Sequence, residues 1–141
     1  MTPHQATAVA IGGRALLIEG PPGSGKSSLA LALIDRGAML IGDDGVMLEQ
    51  LGARLLAHPH PETRGLLEVR NLGLLHLQPC ESAPVALVLR LDREAPRFVE
   101  TAERAERAGV ALPLLQLWPD SPVLAIRAEL ALERFGLERS V

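Results

Sequence analysis

The longest apolar runs in the chain are about five to seven residues, each broken by Gly, Pro or a charge. Runs of that length suit buried strands and fall far short of the ~20 apolar residues of a membrane-spanning helix. Val9–Ile11 predicts a short strand and Gly12-Gly13 a hairpin turn. Ala15–Glu19 predicts a buried strand that runs into a Gly/Pro-rich loop, Gly20–Gly25. Lys26–Arg36 predicts a helix: Leu29 with Leu33, and Ala30 with Ile34, repeat at i, i+4, and Gly37 suits the position just past its end. Ala38–Gly42 predicts a second buried strand. Strand, helix and strand of these lengths form a right-handed βαβ unit with parallel strands.

Beyond Gly42 the pattern changes. Val46–Gln50 and Arg54–Ala57 flank a turn at Leu51-Gly52-Ala53 and predict a hairpin, with His58-Pro59-His60-Pro61 as a loop. Leu66–Arg70 and Leu74–Leu77 predict strands around Asn71-Leu72-Gly73, and Val85–Leu91 another apolar strand. Phe98–Ala108 has a helical pattern ending at Gly109, and its charges read as a solvated helix face. Leu114–Trp118 predicts a last strand. A final helix is expected from Pro122 to Arg134, capped by Ser121 and closed by Gly136. Hairpins around one βαβ unit, with helices on the flanks, define an α/β fold with a mixed sheet.

Composition narrows the function. With 141 residues, 48% hydrophobic and 22% charged, the sequence predicts one globular domain over residues 1–141. The net charge is −3 and there is no Lys/Arg block, so no nucleic-acid surface is expected. Phe98, Phe135 and Trp118 are the only aromatics, too few for base-stacking platforms. Met1–His4 lacks a basic start leading into an apolar core, so no secretory signal and no membrane association are expected. The lone Cys80 rules out an internal disulfide. The cytoplasm is the expected compartment.

The candidate chemistry sits in Gly20-Pro21-Pro22-Gly23-Ser24-Gly25-Lys26-Ser27, which matches G-x-x-x-x-G-K-[ST] in full. The glycines let successive backbone N–H groups turn inward toward phosphate oxygens. The following helix presents its free N–H groups and positive dipole end to the same anion. Lys26, the only lysine of the chain, adds a point charge, and the Ser27 hydroxyl can ligate Mg²⁺. Asp43-Asp44 leaves the second strand of the βαβ unit at the sheet edge where the phosphate loop leaves the first. There a carboxylate can hold a metal or take a proton from an attacking hydroxyl. Glu68 alternates with its neighbours on a strand, which by spacing alone is an exposed face. His4, His58, His60 and His76 have no metal-ligand spacing.

The phosphate loop, then Asp43-Asp44, then Leu67-Glu68-Val69-Arg70-Asn71-Leu72-Gly73 together resemble the C-terminal catalytic domain of the HPr kinase/phosphorylase family. That family carries a phosphate loop, an Ala-Asp-Asp-Arg-like pair and a Leu-Glu-Ile-Arg-Gly-x-Gly signature. The resemblance covers about residues 4–91 and looks like a short form holding the catalytic domain alone. It implies a P-loop domain of mixed sheet and flanking helices, similar to phosphoenolpyruvate carboxykinase. It implies ATP- and Mg²⁺-dependent phosphorylation of a serine on the phosphocarrier HPr, in the control of bacterial sugar uptake. By position, Lys26 resembles the phosphate-binding lysine, Ser27 and Glu68 the Mg²⁺ ligands, and Asp44 the proton acceptor with Asp43 beside it. His4 resembles the family's active-site histidine, at a spacing one residue longer. Homo-oligomers, hexamers in the family, are implied as well. Leu112–Val123 lacks the Pro-Val-x-Pro-Gly-Arg-Asn-like segment associated with the reverse phosphorolysis, which is therefore not expected. Two other readings stay open. One is a small-molecule P-loop kinase whose lid would draw on Arg90, Arg93 and Arg97; the other is a nucleotide-binding regulatory module without turnover.

Overall fold

A computed structural model describes residues 1–139. In chain order the elements are β1 (Thr2–His4), β2 (Thr7–Ile11), β3 (Arg14–Glu19), α1 (Lys26–Asp35), β4 (Met39–Gly42), β5 (Val46–Leu51) and β6 (Arg54–Pro59). They continue with β7 (Leu66–Val69), β8 (Gly73–His76), β9 (Ala83–Leu91), β10 (Glu103–Arg107), β11 (Val110–Leu117) and α2 (Leu124–Phe135). A nine-stranded mixed sheet runs β1-β5-β6-β9-β3-β2-β4, with the β10–β11 hairpin joined to β9 through β11. The β7–β8 hairpin is a separate two-stranded sheet. This is the α/β architecture with a mixed sheet that the sequence predicts.

Strand alternation splits the core in two. Leu16, Ile18, Leu40, Leu87 and Leu89 pack beneath the helices against Leu29, Leu33, Ala128 and Leu132. On the opposite face Ala15, Leu17, Ile41 and Val85 meet Val46, Leu48, Leu55, Leu112 and Leu114. Among the described residues no helix residue enters this second core, so the sheet curls over on itself. The two faces change phase at one point: Ala15 pairs with Val85 but Leu16 with Leu87, an irregularity that leaves Ala86 as the extra residue. The Ala86 carbonyl accepts the backbone N–H of Leu137 instead (2.9 Å), which ties down the segment after α2.

Several expectations are corrected. β3 and β4 do run in the same direction, but β2 lies between them, antiparallel to both. The Gly12-Gly13 hairpin already occupies that edge of β3, so the crossover through α1 must skip one strand. Glu103–Arg107 is a strand, not part of a helix. Ala108 and Gly109 both have positive φ (46° and 83°), a turn that folds β10 back onto β11 and overrides the helical spacing of its alanines. His58 and Pro59 belong to β6 rather than to a loop, and His58 Nε2 pairs with Glu49 Oε1 of the neighbouring strand at 2.9 Å. The last helix starts at Leu124; Ser121 Oγ accepts the Val123 N–H one turn earlier (3.2 Å) without being its N-cap. The last strand begins at Val110, not Leu114, and β1 has no counterpart among the predicted elements.

Candidate active site

The phosphate loop connects the end of β3 to the start of α1, so a central strand delivers it to the sheet edge. Gly25 caps α1 with φ 99°, a left-handed conformation that side-chain-bearing residues rarely adopt, so a glycine is needed there. The Leu29 N–H donates to the Gly25 carbonyl at 2.9 Å, which starts the helical ladder directly behind the loop. At the far end the Gly37 and Ala38 N–H groups donate to the Ile34 and Leu33 carbonyls (both 3.0 Å), closing the helix on a Schellman motif. The helix is thereby fixed at both ends, with Leu29, Ala30 and Leu33 buried as the sequence predicts.

Lys26 Nζ folds back on the loop, donating to the Gly20 carbonyl at 2.9 Å and the Pro21 carbonyl at 3.3 Å. The Ser24 hydroxyl is buried and has no hydrogen-bond partner among the described residues. It lies where a Cβ on Gly20 would stand, 2.7 Å away, so Gly20 gives the loop room to turn.

The two acids have different surroundings. Asp43 Oδ1 accepts the Ser27 hydroxyl at 2.6 Å and the Thr7 hydroxyl at 3.1 Å, and Oδ2 accepts the Glu68 backbone N–H at 3.0 Å. Asp43 therefore joins the phosphate loop, β2 and β7 at one carboxylate. Asp44 has φ 61°, and its N–H donates to Thr7 Oγ1 at 3.2 Å. Its side chain lines the cleft that also contains Lys26, Gly20 and Pro22. The Glu68 side chain is exposed, on a strand whose Leu67 is fully buried in the core.

The cleft has a volume of about 580 Å³. His4, Gln5, Glu19 and Arg107 complete its wall. His4 Nε2 lies 2.7 Å from Glu19 Oε2. Arg107 grips the same carboxylate at two points, Nε to Oε2 at 2.9 Å and Nη2 to Oε1 at 2.7 Å. Burial pushes the Glu19 carboxyl up, but the hydrogen bonds and charges of Arg107 and His4 outweigh it and hold it at about 2. The pair raises Arg107 in turn, its hydrogen bond to Glu19 being the largest cause.

All the sequence-predicted site residues come together around the loop. Lys26, Asp44 and His4 share the cleft, Ser27 and Asp43 meet at its side, and Glu68 reaches Asp43 through its backbone N–H. Sequence reading missed Thr7, Glu19 and Arg107. Thr7 is a buried hydroxyl in an apolar strand, and Arg107 was hidden in a charge run with helical spacing. The available signal was Ala108-Gly109, a hairpin turn that sends alternate residues of the preceding strand inward. The proposed lid arginines lie elsewhere: Arg93 is paired with Asp120 (2.8 Å), and neither it nor Arg90 nor Arg97 lines the cleft.

A mixed, curled sheet with a phosphate loop at its edge and a paired carboxylate facing it defines a P-loop domain. The sequence profile of the HPr Serine kinase C-terminal domain matches residues 2–80, and the chain belongs to this family. It is 32% identical over 125 residues to an HPr kinase/phosphorylase of Caldicellulosiruptor bescii, covering 79% of this chain and 40% of that protein. An HPr kinase/phosphorylase of Neisseria meningitidis is 48% identical over 64 residues, 45% of this chain and 20% of the relative. The chain thus spans between a fifth and two fifths of the length of these relatives. Its fold matches the structure of the Hpr(Ser) kinase/phosphatase from Coxiella burnetii with a TM-score of 0.84 at 22% identity, covering 94% of this chain and 95% of that one.

Proposed function

We propose that the chain is an ATP- and Mg²⁺-dependent serine kinase that phosphorylates the phosphocarrier HPr. The observation that carries this reading is the division of labour in the acid pair. Asp43 is engaged at Ser27 of the phosphate loop, while Asp44 lines the cleft beside Lys26. The residues suit the reactants. The unpartnered Ser24 hydroxyl and the loop glycines form a polar cradle for phosphate oxygens. Ser27 and Asp43 offer hard oxygen donors 2.6 Å apart, the kind that Mg²⁺ prefers, and the Glu68 carboxylate would add another from the exposed face of β7. Bound there, the ion would offset charge on the phosphates.

The loop and Lys26 bind and orient the triphosphate. Lys26 exchanges its two carbonyl partners for phosphate oxygens and stabilises charge that builds on the leaving group. Asp44 accepts the proton of the attacking seryl hydroxyl. The seryl oxygen forms a bond to the γ-phosphorus as the bond to the β–γ bridging oxygen breaks, giving phosphoserine and ADP. Asp43 keeps Ser27 and the backbone at Glu68 in register with the loop.

The experiment is transfer of label from γ-labelled Mg-ATP to purified HPr. Label on an HPr serine is expected. Lys26→Ala should reduce transfer more than ~100-fold, the scale for removing a preorganised charge-stabilising donor. Asp44→Asn should abolish transfer while nucleotide binding persists. Binding without transfer to HPr in the unsubstituted chain would instead favour a nucleotide-sensing module.

A further inference from the structure

Glu19 presents an electrostatic problem that the phosphoryl-transfer reading does not use. It is the last residue of β3 and immediately precedes Gly20, so a carboxylate stands at the mouth of a loop built for a polyanion. Left alone, it would repel the phosphates. It is not left alone: both oxygens are engaged, by Arg107 from β10 and His4 from β1. Its side chain is only 14% exposed. β1 and β10 lie at separate ends of the curled sheet, and Glu19 is where they meet.

We propose that Glu19 is a positioning residue that aims the Arg107 guanidinium and the His4 imidazole into the phosphate cleft. The two-point contact fixes the plane of the guanidinium, which a single contact would leave free to swing. A third Arg107 nitrogen, Nη1, donates to the Glu106 carbonyl at 2.9 Å, so the group is braced from both sides. The His4 ring is held by one nitrogen, leaving the other for the cleft. The carboxylate thus trades some repulsion toward nucleotide for a guanidinium and an imidazole held fixed in the phosphate cleft. Such aiming lowers the barrier without tightening binding.

That trade separates the proposal from a plain tether between β1, β3 and β10. A tether predicts that loss of the charge loosens the cleft and weakens nucleotide binding. Positioning predicts changes of opposite sign, because Glu19→Gln removes the repulsion and the aim together. The inference rests on the phosphoryl-transfer reading, so both binding and turnover are measured. Binding of a fluorescent ATP analogue with Mg²⁺ is expected to become about 3-fold tighter or more in Glu19→Gln. Turnover is expected to fall between about 10-fold and 100-fold. The double variant Glu19→Gln/Arg107→Gln should turn over no more slowly than Arg107→Gln alone, because Glu19 acts through Arg107. Weaker binding in Glu19→Gln, unchanged turnover, or additive losses in the double variant would each overturn the proposal. If Glu19→Gln does not fold, Arg107→Lys carries the test: it keeps the charge but loses the two-point contact, and unaltered turnover there would also overturn it. An unsubstituted chain that binds the analogue but transfers phosphate neither to HPr nor to water overturns the kinase reading itself, and this inference with it.

Discussion

A Cβ on Gly42 would stand 2.3 Å from the Gly45 carbonyl oxygen and 2.8 Å from Val46 Cγ1. Backbone that close cannot yield without moving the turn that carries Asp43 and Asp44. Gly42→Ala should therefore destabilise the fold by about 1–3 kcal/mol, the usual cost of overpacking, and remove phosphotransfer even where the chain still folds. Denaturant melts and the labelled-ATP assay read the two effects separately. Glu19 gives a second prediction at this scale. Its carboxyl falls from an ordinary 4.5 to about 2 in the folded chain, so the folded state favours the charged form. The resulting stability, about 3 kcal/mol, is present above pH 4.5 and disappears as the pH drops toward 2. Glu19→Gln should flatten that acid limb in melts recorded between pH 5 and pH 2, with stability at pH 7 reduced. The acid pair could be read from the sequence because its distance from the phosphate loop fixed its place on the sheet. Ala108-Gly109 marks the strand that carries Arg107, but not its contact with Glu19, which lies 88 residues away.

Among the elements, β9 carries the most: it pairs with β3, β6 and β11, and Leu87, Leu89 and Leu91 from it are fully buried beneath the helices. Leu87→Ala should cost about 2–5 kcal/mol, measured by chemical denaturation, because strands on both sides hold the cavity open. The apolar run Val85–Leu91 made this strand visible in the sequence, and the i, i+4 leucines did the same for α1. The errors have a common cause. The alanines and charges of Glu103–Arg107 fit a helix by propensity, but pairing with β11 and the positive-φ turn at Ala108-Gly109 decide otherwise. β1 is three residues long and exists because β5 offers it a free edge, information that no window around Thr2–His4 contains.

For the whole molecule, two apolar cores share the strands of one sheet, so neither can be lost alone. The described residues should unfold in one cooperative transition, with fluorescence and circular dichroism giving coincident curves. Mg-ATP at 100 times its dissociation constant should add about 2.7 kcal/mol to that stability. Lys26→Ala should remove most of this gain, a test that needs no acceptor protein. The lysine itself has a further consequence. Its ε-amine is the only one in 141 residues, and it is folded against the Gly20 and Pro21 carbonyls. Reagents that acylate amines therefore find a single side-chain target besides the N-terminus. One added mass would report the state of the nucleotide site, and bound nucleotide would protect it, so the chain carries its own occupancy probe without an introduced label.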